Sequence, residues 1–353
     1  MADLVVAGAG MAGLAAAAEA RSLGAEVLLM EKLDRPGGSM LLSSGVVWRH
    51  RAFERFRDDC PGGDPLLQRT VFERLDADLA WLESLGAPIV SRATGNELTS
   101  GARFEPTGMC QALVEAAGPI RLSEPLRELP DATPVVLATG GFPANRELLR
   151  RHVTQEADSL LLRTAPGATG DGLRLGLEAG AEVSAGLDEF YGRNMPAPPA
   201  RIEPEDFVLL AQLYARHAEV TNSDGRRYEP RTWSEIDVVQ WTARQSRARA
   251  WYRVAPEALD ERVGDRSVAQ IVEAAAAAGA PVSRSVDGYL VETVAGITST
   301  LGGLRIDPRA RAAPGVFACG NDAGGIATGG YTSGLAVGLV FGRIAARSAL
   351  EAG

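Results

Sequence analysis

A chain of 353 residues, 46% of them hydrophobic, has room for two or three domain-sized units and a large buried core. Its net charge is -9 and Lys32 is the sole lysine among 36 basic residues, a balance that argues against nucleic acid or an anionic membrane as partner. Cys60, Cys110 and Cys319 are odd in number and lack metal-ligand spacing, which fits a reducing, cytoplasmic setting; no apolar run reaches the ~18 residues of a membrane helix.

The first predicted strand, Leu4 to Ala7, runs into Gly8-Ala9-Gly10-Met11-Ala12-Gly13. An alanine-rich helix is expected from Met11 to Leu23, closed by Gly24, and a second strand from Val27 to Met30 ends at Glu31. Strand, GxGxxG, helix, strand and terminal acid in register form a dinucleotide-binding fingerprint. Gly8 permits the tight turn, Gly10 lets backbone approach a pyrophosphate, Gly13 lets helix pack on sheet, and Glu31 accepts from a ribose hydroxyl. The helix N-terminus favours an anion by ~0.3 to 1 kcal/mol beyond its hydrogen bonds.

Further along come Arg35-Pro36-Gly37-Gly38-Ser39-Met40 and Ser43-Ser44-Gly45. Phe72, Leu75, Leu79, Leu82 and Leu85 recur at helical spacing, so an amphipathic helix is expected from Thr70 to Leu85, stopped by Gly86. Pro134 to Ala138 reads as a buried strand entering Thr139-Gly140-Gly141. Asp171 precedes a helix at Gly172 to Ala179, where it either caps the helix or lies near a cofactor. A helical run is expected from Ser267 to Ala278, a strand from Gly315 to Ala318, and a small-residue helix from Gly334 to Leu350. Cys319, at a strand end among apolar neighbours, reads as a small buried hydrophobe. His50, His152 and His217 lie in arginine-rich or polar contexts, so exposure and no catalytic part are expected of them; Asp58, Asp59 and Asp206 read as surface, with no metal site.

Taken together, GAGMAG, the pair Glu31-Lys32, PGGS, ATGGF at Ala138 to Phe142, GATGDG at Gly167 to Gly172, TLGGLRID at Thr300 to Asp307 and GVFACGN at Gly315 to Asn321 span both ends of the chain. The chain resembles, through them, the flavoprotein family of fumarate reductases, succinate dehydrogenase flavoproteins and ketosteroid dehydrogenases. The resemblance implies bound FAD. It places Gly8, Gly10, Met11, Ala12, Gly13, Glu31 and Lys32 on the adenine half, and Gly37, Gly38, Ser39, Met40, Ser43, Ser44 and Gly45 along the ribityl and isoalloxazine region. Ala138, Thr139 and Gly140 fall on the pyrophosphate side, Asp171 near the flavin, and Gly320, Asn321, Gly334, Leu335 and Ala336 at the ring edge.

Two departures narrow what the resemblance implies. Fumarate reductases set a histidine just before TxGG and an arginine in the last glycine-rich stretch, both gripping substrate carboxylates. Ser299 holds the first place here, and no arginine occurs between Arg311 and Arg343, which argues against a dicarboxylate. The serine-rich loop Leu41-Leu42-Ser43-Ser44 lacks the histidine that attaches FAD in the succinate dehydrogenase group, so noncovalent FAD is expected. A second dinucleotide fingerprint is absent. Ketosteroid dehydrogenases are similar in the final stretch: a tyrosine about ten residues beyond GN, then a glycine, hold the substrate carbonyl, and Tyr331 with Gly334 fits that pattern.

The acid or base is sought in the intervening segment. Tyr191, in Glu189-Phe190-Tyr191-Gly192-Arg193-Asn194, leads, and Arg193 and Arg231 follow; for each, simple packing or solvation is the competing reading.

The expected fold is α/β: a Rossmann-like FAD-binding domain, a mixed sheet with helices on both faces, from 1–186 and 295–353, with an inserted α+β cap over 187–294 and the active site at their junction. The expected reaction is α,β-desaturation of a ketone, cyclic or steroid-like, with hydride passing to flavin N5. Its reverse, enoyl reduction, uses the same groups. A noncatalytic flavin-containing binding protein is the rival of another class. Partners are a small carbonyl compound and an external electron acceptor or donor.

Overall fold

The computed structural model describes residues 2–231 and 235–352. Two compact units divide the chain. Unit 1 gathers the chain up to Asn145, Thr164–Glu189, and the chain from Ser299 onward. Its six-stranded sheet runs in the order Arg311–Ala313, Val316–Ala318, Val135–Leu137, Leu4–Ala7, Val27–Met30, Ile120–Arg121. Neighbours are parallel except at the Arg311–Ala313 edge. Leu4–Ala7 is central and buried at every residue, as a two-sided parallel strand requires.

The first helix, Met11–Ser22, packs against the last, Gly334–Ala352. Small residues allow this: a Cβ on Gly338 would already touch Ala12 at 3.5 Å, and one on Gly342 would collide with the Ala12 carbonyl. A second sheet pairs Val46–His50 and Ile89–Ser91 with Thr99–Phe104, all antiparallel. The helix expected from Thr70 begins earlier and spans Pro65–Ser84. Asp64 caps it by accepting from the Leu66 and Leu67 N–H groups, and Pro65 sits in the first turn, where its missing N–H costs nothing.

Beneath these helices lies a charged network that the sequence does not announce. Arg343, 9% exposed, pairs with Glu19 at 2.7 Å and with Asp78, both carboxylates being 1% exposed. Arg347 joins Glu19, and Arg74 reaches Asp78 at 3.6 Å. The Arg343 guanidinium also lies 4.3 Å over the Trp81 ring.

Unit 2 comprises Arg146–Arg163 and Phe190–Thr298. It thus takes in a segment outside 187–294, because Leu161–Leu162 pairs in parallel with the long strand Gly288–Thr300. On that strand also pair Arg249–Val254, Val282–Ser285 and Phe190–Pro196. Helices Glu235–Ala243 and Val268–Ala277 cover this sheet, and Tyr214, Tyr252, Val254, Val268, Ile271 and Val291 form its core.

Two expectations need correction. His50 is buried at 3% exposure: its ring stacks on Phe56 at 4.8 Å and its Nε2 lies 3.2 Å from Asp59; burial holds its pKa below the ordinary value against the opposing pull of Asp59. His152 and His217 are half-buried. Asp171 does not cap by its side chain, since the helix is Asp171–Glu178 and left-handed Gly170 occupies the cap. Among the described residues no helix is long and apolar enough to cross a membrane, and no cluster of His, Cys, Asp or Glu could hold a metal. All three cysteines are free and buried, and burial pushes the Cys319 thiol up.

Candidate active site

Unit 1 gathers most of the residues that the motifs single out around the start of the first helix. Gly8, at φ +102°, turns the chain beneath the Ala138 carbonyl, and a Cβ on Gly13 would strike the Gly8 carbonyl. Side chains are excluded there by packing. Gly10 differs: a Cβ there would meet nothing within 4 Å, and as the N-cap it offers no side chain to the first-turn N–H groups. An open helix N-terminus with bare amide donors is where an anion binds. Met11 and Ala12 are buried, the latter against Gly320, whose added Cβ would lie 3.0 Å from the Ala12 Cβ.

Glu31, 8% exposed, accepts from the Ala9 N–H at 2.7 Å and the Leu33 N–H at 2.8 Å, tying the end of its strand to the glycine loop. Lys32 turns elsewhere: its Nζ pairs with Asp171 at 2.8 Å and donates to Thr169 and the Gly167 carbonyl. The sole lysine therefore braces the GATGDG turn.

Gly37 donates its N–H to the Ala9 carbonyl, and Gly38 approaches Gly10. Ser39 Oγ lies 3.0 Å from Thr164 Oγ1 and accepts from the Ala165 N–H. Met40 is buried; Ser43 donates to its carbonyl and accepts from the Gly45 N–H. The Ser44 carbonyl accepts from Arg103 Nε. Gly45 is left-handed and close under Phe104, where a side chain would collide.

Asp322 is the residue that ties these loops together, and sequence reading passed over it. Fully buried, it accepts from the Thr139 N–H, from Thr139 Oγ1 at 3.1 Å and from the Gly141 N–H at 3.1 Å, while its carbonyl accepts from Leu304. Burial pushes its carboxyl upward and those three donors pull it back. Left-handed Gly140 follows Thr139, and the Gly140 carbonyl is 3.5 Å from Asn321 Nδ2. Gly334 opens the last helix with nothing near its would-be side chain; Leu335 is half-buried, and Ala336 is buried and donates to Ser333 Oγ.

Tyr331 is half-buried on the same glycine-rich stretch, its ring edge-on to Trp48 at 5.9 Å. Tyr191 and Arg193 belong to unit 2, on the strand Phe190–Pro196, with the Arg193 guanidinium 4.7 Å over the Tyr191 ring. Arg231 is an exposed partner of Asp237 at 2.5 Å. Glu235, beside Arg193, is another residue that the motifs did not reveal. Its carboxyl accepts from the Ala215 N–H, and burial pushes its pKa up to about 7 against the pull of Arg193.

A glutamate ordinarily titrates near 4.5, so folded Glu235 holds its proton more tightly than the unfolded chain does. Stability from this group is complete below about pH 4.5 and is lost as pH rises to about 7. Glu235→Gln should therefore gain on the order of 1 kcal/mol over wild type at about pH 8 and nothing near pH 4. Thermal unfolding at both values checks this, and an equal shift at both contradicts it.

The pattern of the family described as FAD binding domain matches residues 3–117 and 123–335. The chain belongs to that family. Fumarate reductase (cytochrome) of Shewanella frigidimarina is 22% identical over 446 aligned positions, which cover 99% of this chain and 77% of that protein. The structure of the open conformation of a flavocytochrome c3 fumarate reductase matches with a TM-score of 0.74 at 22% identity, covering 99% of this chain and 78% of that one. 3-Ketosteroid delta1-dehydrogenase from Sterolibacterium denitrificans, in complex with 1,4-androstadiene-3,17-dione, matches with a TM-score of 0.72 at 16% identity over the whole of both chains.

FAD is the cofactor of this flavoprotein, and the residues present fit it. The open face of Gly10 at a bare helix N-terminus suits a pyrophosphate, and Glu31 ends the adjacent strand where a ribose acceptor is needed. The left-handed glycines Gly37, Gly38 and Gly140 keep the backbone of their loops free of side chains, and Gly38 does so next to Gly10.

Proposed function

We propose that this flavoprotein oxidoreductase acts on the carbon–carbon bond α,β to a carbonyl, desaturating a ketone of cyclic or steroid-like shape. When bound, FAD supplies a hydride acceptor. The protein's task is then the α proton and the charge that its departure leaves on the carbonyl oxygen.

Tyr331 and Gly334 support this reading most strongly. The phenol of Tyr331 offers a donor on a loop otherwise poor in side chains, and the Gly334 N–H stands in the first turn of a helix, where donors have no partner within the helix. Two donors on a carbonyl favour the enolate-like charge of the transition state over the neutral ground state, each by typically ~3 kcal/mol. Tyr191, with the Arg193 guanidinium over its ring, is assigned the proton transfer, which a phenol can carry. Ser299 in the place of the family's histidine, and the gap in arginines from Arg311 to Arg343, favour a ketone over a dicarboxylate. Enoyl reduction runs through the same groups in reverse.

The test is anaerobic bleaching of the flavin by a panel of cyclohexanone, a 3-ketosteroid and succinate. Bleaching by a ketone is expected. Bleaching by succinate and by no ketone would overturn the assignment.

A further inference from the structure

We propose that Gln68 is a positioning residue for Tyr331, fixing the loop that carries the phenol without touching the substrate. The inference rests on the carbonyl-holding role given to Tyr331 above. Residues 325–331 include Gly325, Gly329 and Gly330, so the loop has few side chains with which to hold its own shape. Its shape is imposed by a rail formed from residues 59–68.

Four links join rail to loop. The Asp64 N–H donates to the Gly325 carbonyl at 2.7 Å and the Gly62 N–H to the Thr328 carbonyl at 3.0 Å. Gln68 Nε2 donates to the Ile326 carbonyl at 2.9 Å, and the Cys60 sulfur accepts from the Tyr331 backbone. Close packing completes the fit: a side chain on Gly63 would strike the Ile326 carbonyl, and one on Gly330 the Asp59 carbonyl. Rail and loop meet with no room for slippage.

Gln68 is the keystone because it bonds to both. It is fully buried, its second Nε2 hydrogen goes to the Cys60 carbonyl at 2.9 Å, and its Oε1 accepts from Arg57 at 2.6 Å. The neighbouring buried positions of its helix are Leu67, Val71 and Leu75, so an apolar residue would suit the packing. Only the bridge requires an amide, which can give two hydrogens and accept at its oxygen. Without it the Ile326 carbonyl loses its Gln68 donor, while the Cys60 carbonyl keeps the Gly63 N–H at 3.1 Å; the cost falls on the loop and is met by letting it shift. A displacement near 1 Å in a group that must align with a reacting carbonyl is enough to lower rate by one to two orders of magnitude.

The test uses FAD-loaded Gln68→Met, Cys60→Ala and Tyr331→Phe proteins and the double variant Gln68→Met/Tyr331→Phe. Each is reduced anaerobically in single turnover with cyclohexanone or the 3-ketosteroid, whichever bleaches the wild type. For Gln68→Met and Cys60→Ala the limiting rate per bound flavin should fall about tenfold, with the half-saturating ketone concentration within about twofold and reduction by dithionite unchanged. Amide hydrogen exchange over residues 325–331 should rise about tenfold in Gln68→Met. In the Tyr331→Phe background the Gln68→Met change should add nothing, because no hydroxyl remains to be placed.

Wild-type rates per flavin in Gln68→Met and Cys60→Ala, or a further tenfold loss in the double variant, would overturn the positioning role. If Gln68→Met does not fold, Cys60→Ala decides alone. Failure of the wild type to bleach with any ketone would instead refute the carbonyl-holding role itself.

Discussion

Replacing Tyr331 with phenylalanine is expected to slow ketone-driven flavin reduction by about 100- to 1,000-fold while FAD stays bound. That is the range lost when one donor of an oxyanion-stabilising pair is removed. The substitution is clean in packing terms, because the ring is kept and its edge contact with Trp48 at 5.9 Å needs no hydroxyl. Dithionite should reduce the variant as fast as wild type, since an external reductant bypasses the carbonyl. Tyr191→Phe should also slow ketone reduction, by about 100- to 10,000-fold, if the phenol moves the proton. Wild-type rates of ketone reduction in both variants would remove the two phenols from the chemistry, whereas a wild-type flavin that no ketone reduces would favour a noncatalytic binding protein.

Arg343→Met is expected to cost the fold about 3 to 5 kcal/mol. Glu19 and Asp78 are each 1% exposed and both rely on this guanidinium. Taking one partner from a buried ionic cluster leaves the other charges desolvated and uncompensated, which costs more than the pair itself contributes. Arg347 and Arg74 reach the same carboxylates from more exposed positions and compensate in part. Arg343→Lys should recover only a fraction, because an ammonium cannot serve Glu19 and Asp78 in the planar fork or lie flat over Trp81. Urea unfolding of the FAD-loaded protein measures both, and a loss below about 1 kcal/mol for Arg343→Met would contradict this account.

What could be read from the sequence follows from the range of the forces involved. The loop from Gly8 to Gly13, the strands around it and Glu31 were legible because a tight turn, a close helix and a bare N-terminus demand particular residues at fixed spacing. The start of the helix at Pro65 was available in the pair Asp64-Pro65, a local cap signal that hydrophobic periodicity from Phe72 onward did not use. His50 looked exposed between two arginines; what buries it is the stack on Phe56 and the bond to Asp59, which the chain supplies only after it turns. Asp322 and Thr139 are 183 residues apart, and Arg343 and Glu19 are 324 apart. No periodicity links such pairs, so the knot under the cofactor loops and the ionic cluster emerge only from the fold. Gln68 was hidden differently: it lies in the start of the helix, ahead of the Thr70 boundary that the apolar stripe gave.

The most direct measurement is the flavin content of the purified protein. About one FAD per chain, visible as flavin absorbance and released by heat, is the expected result. A colourless chain that takes up no added FAD would contradict the account at its root.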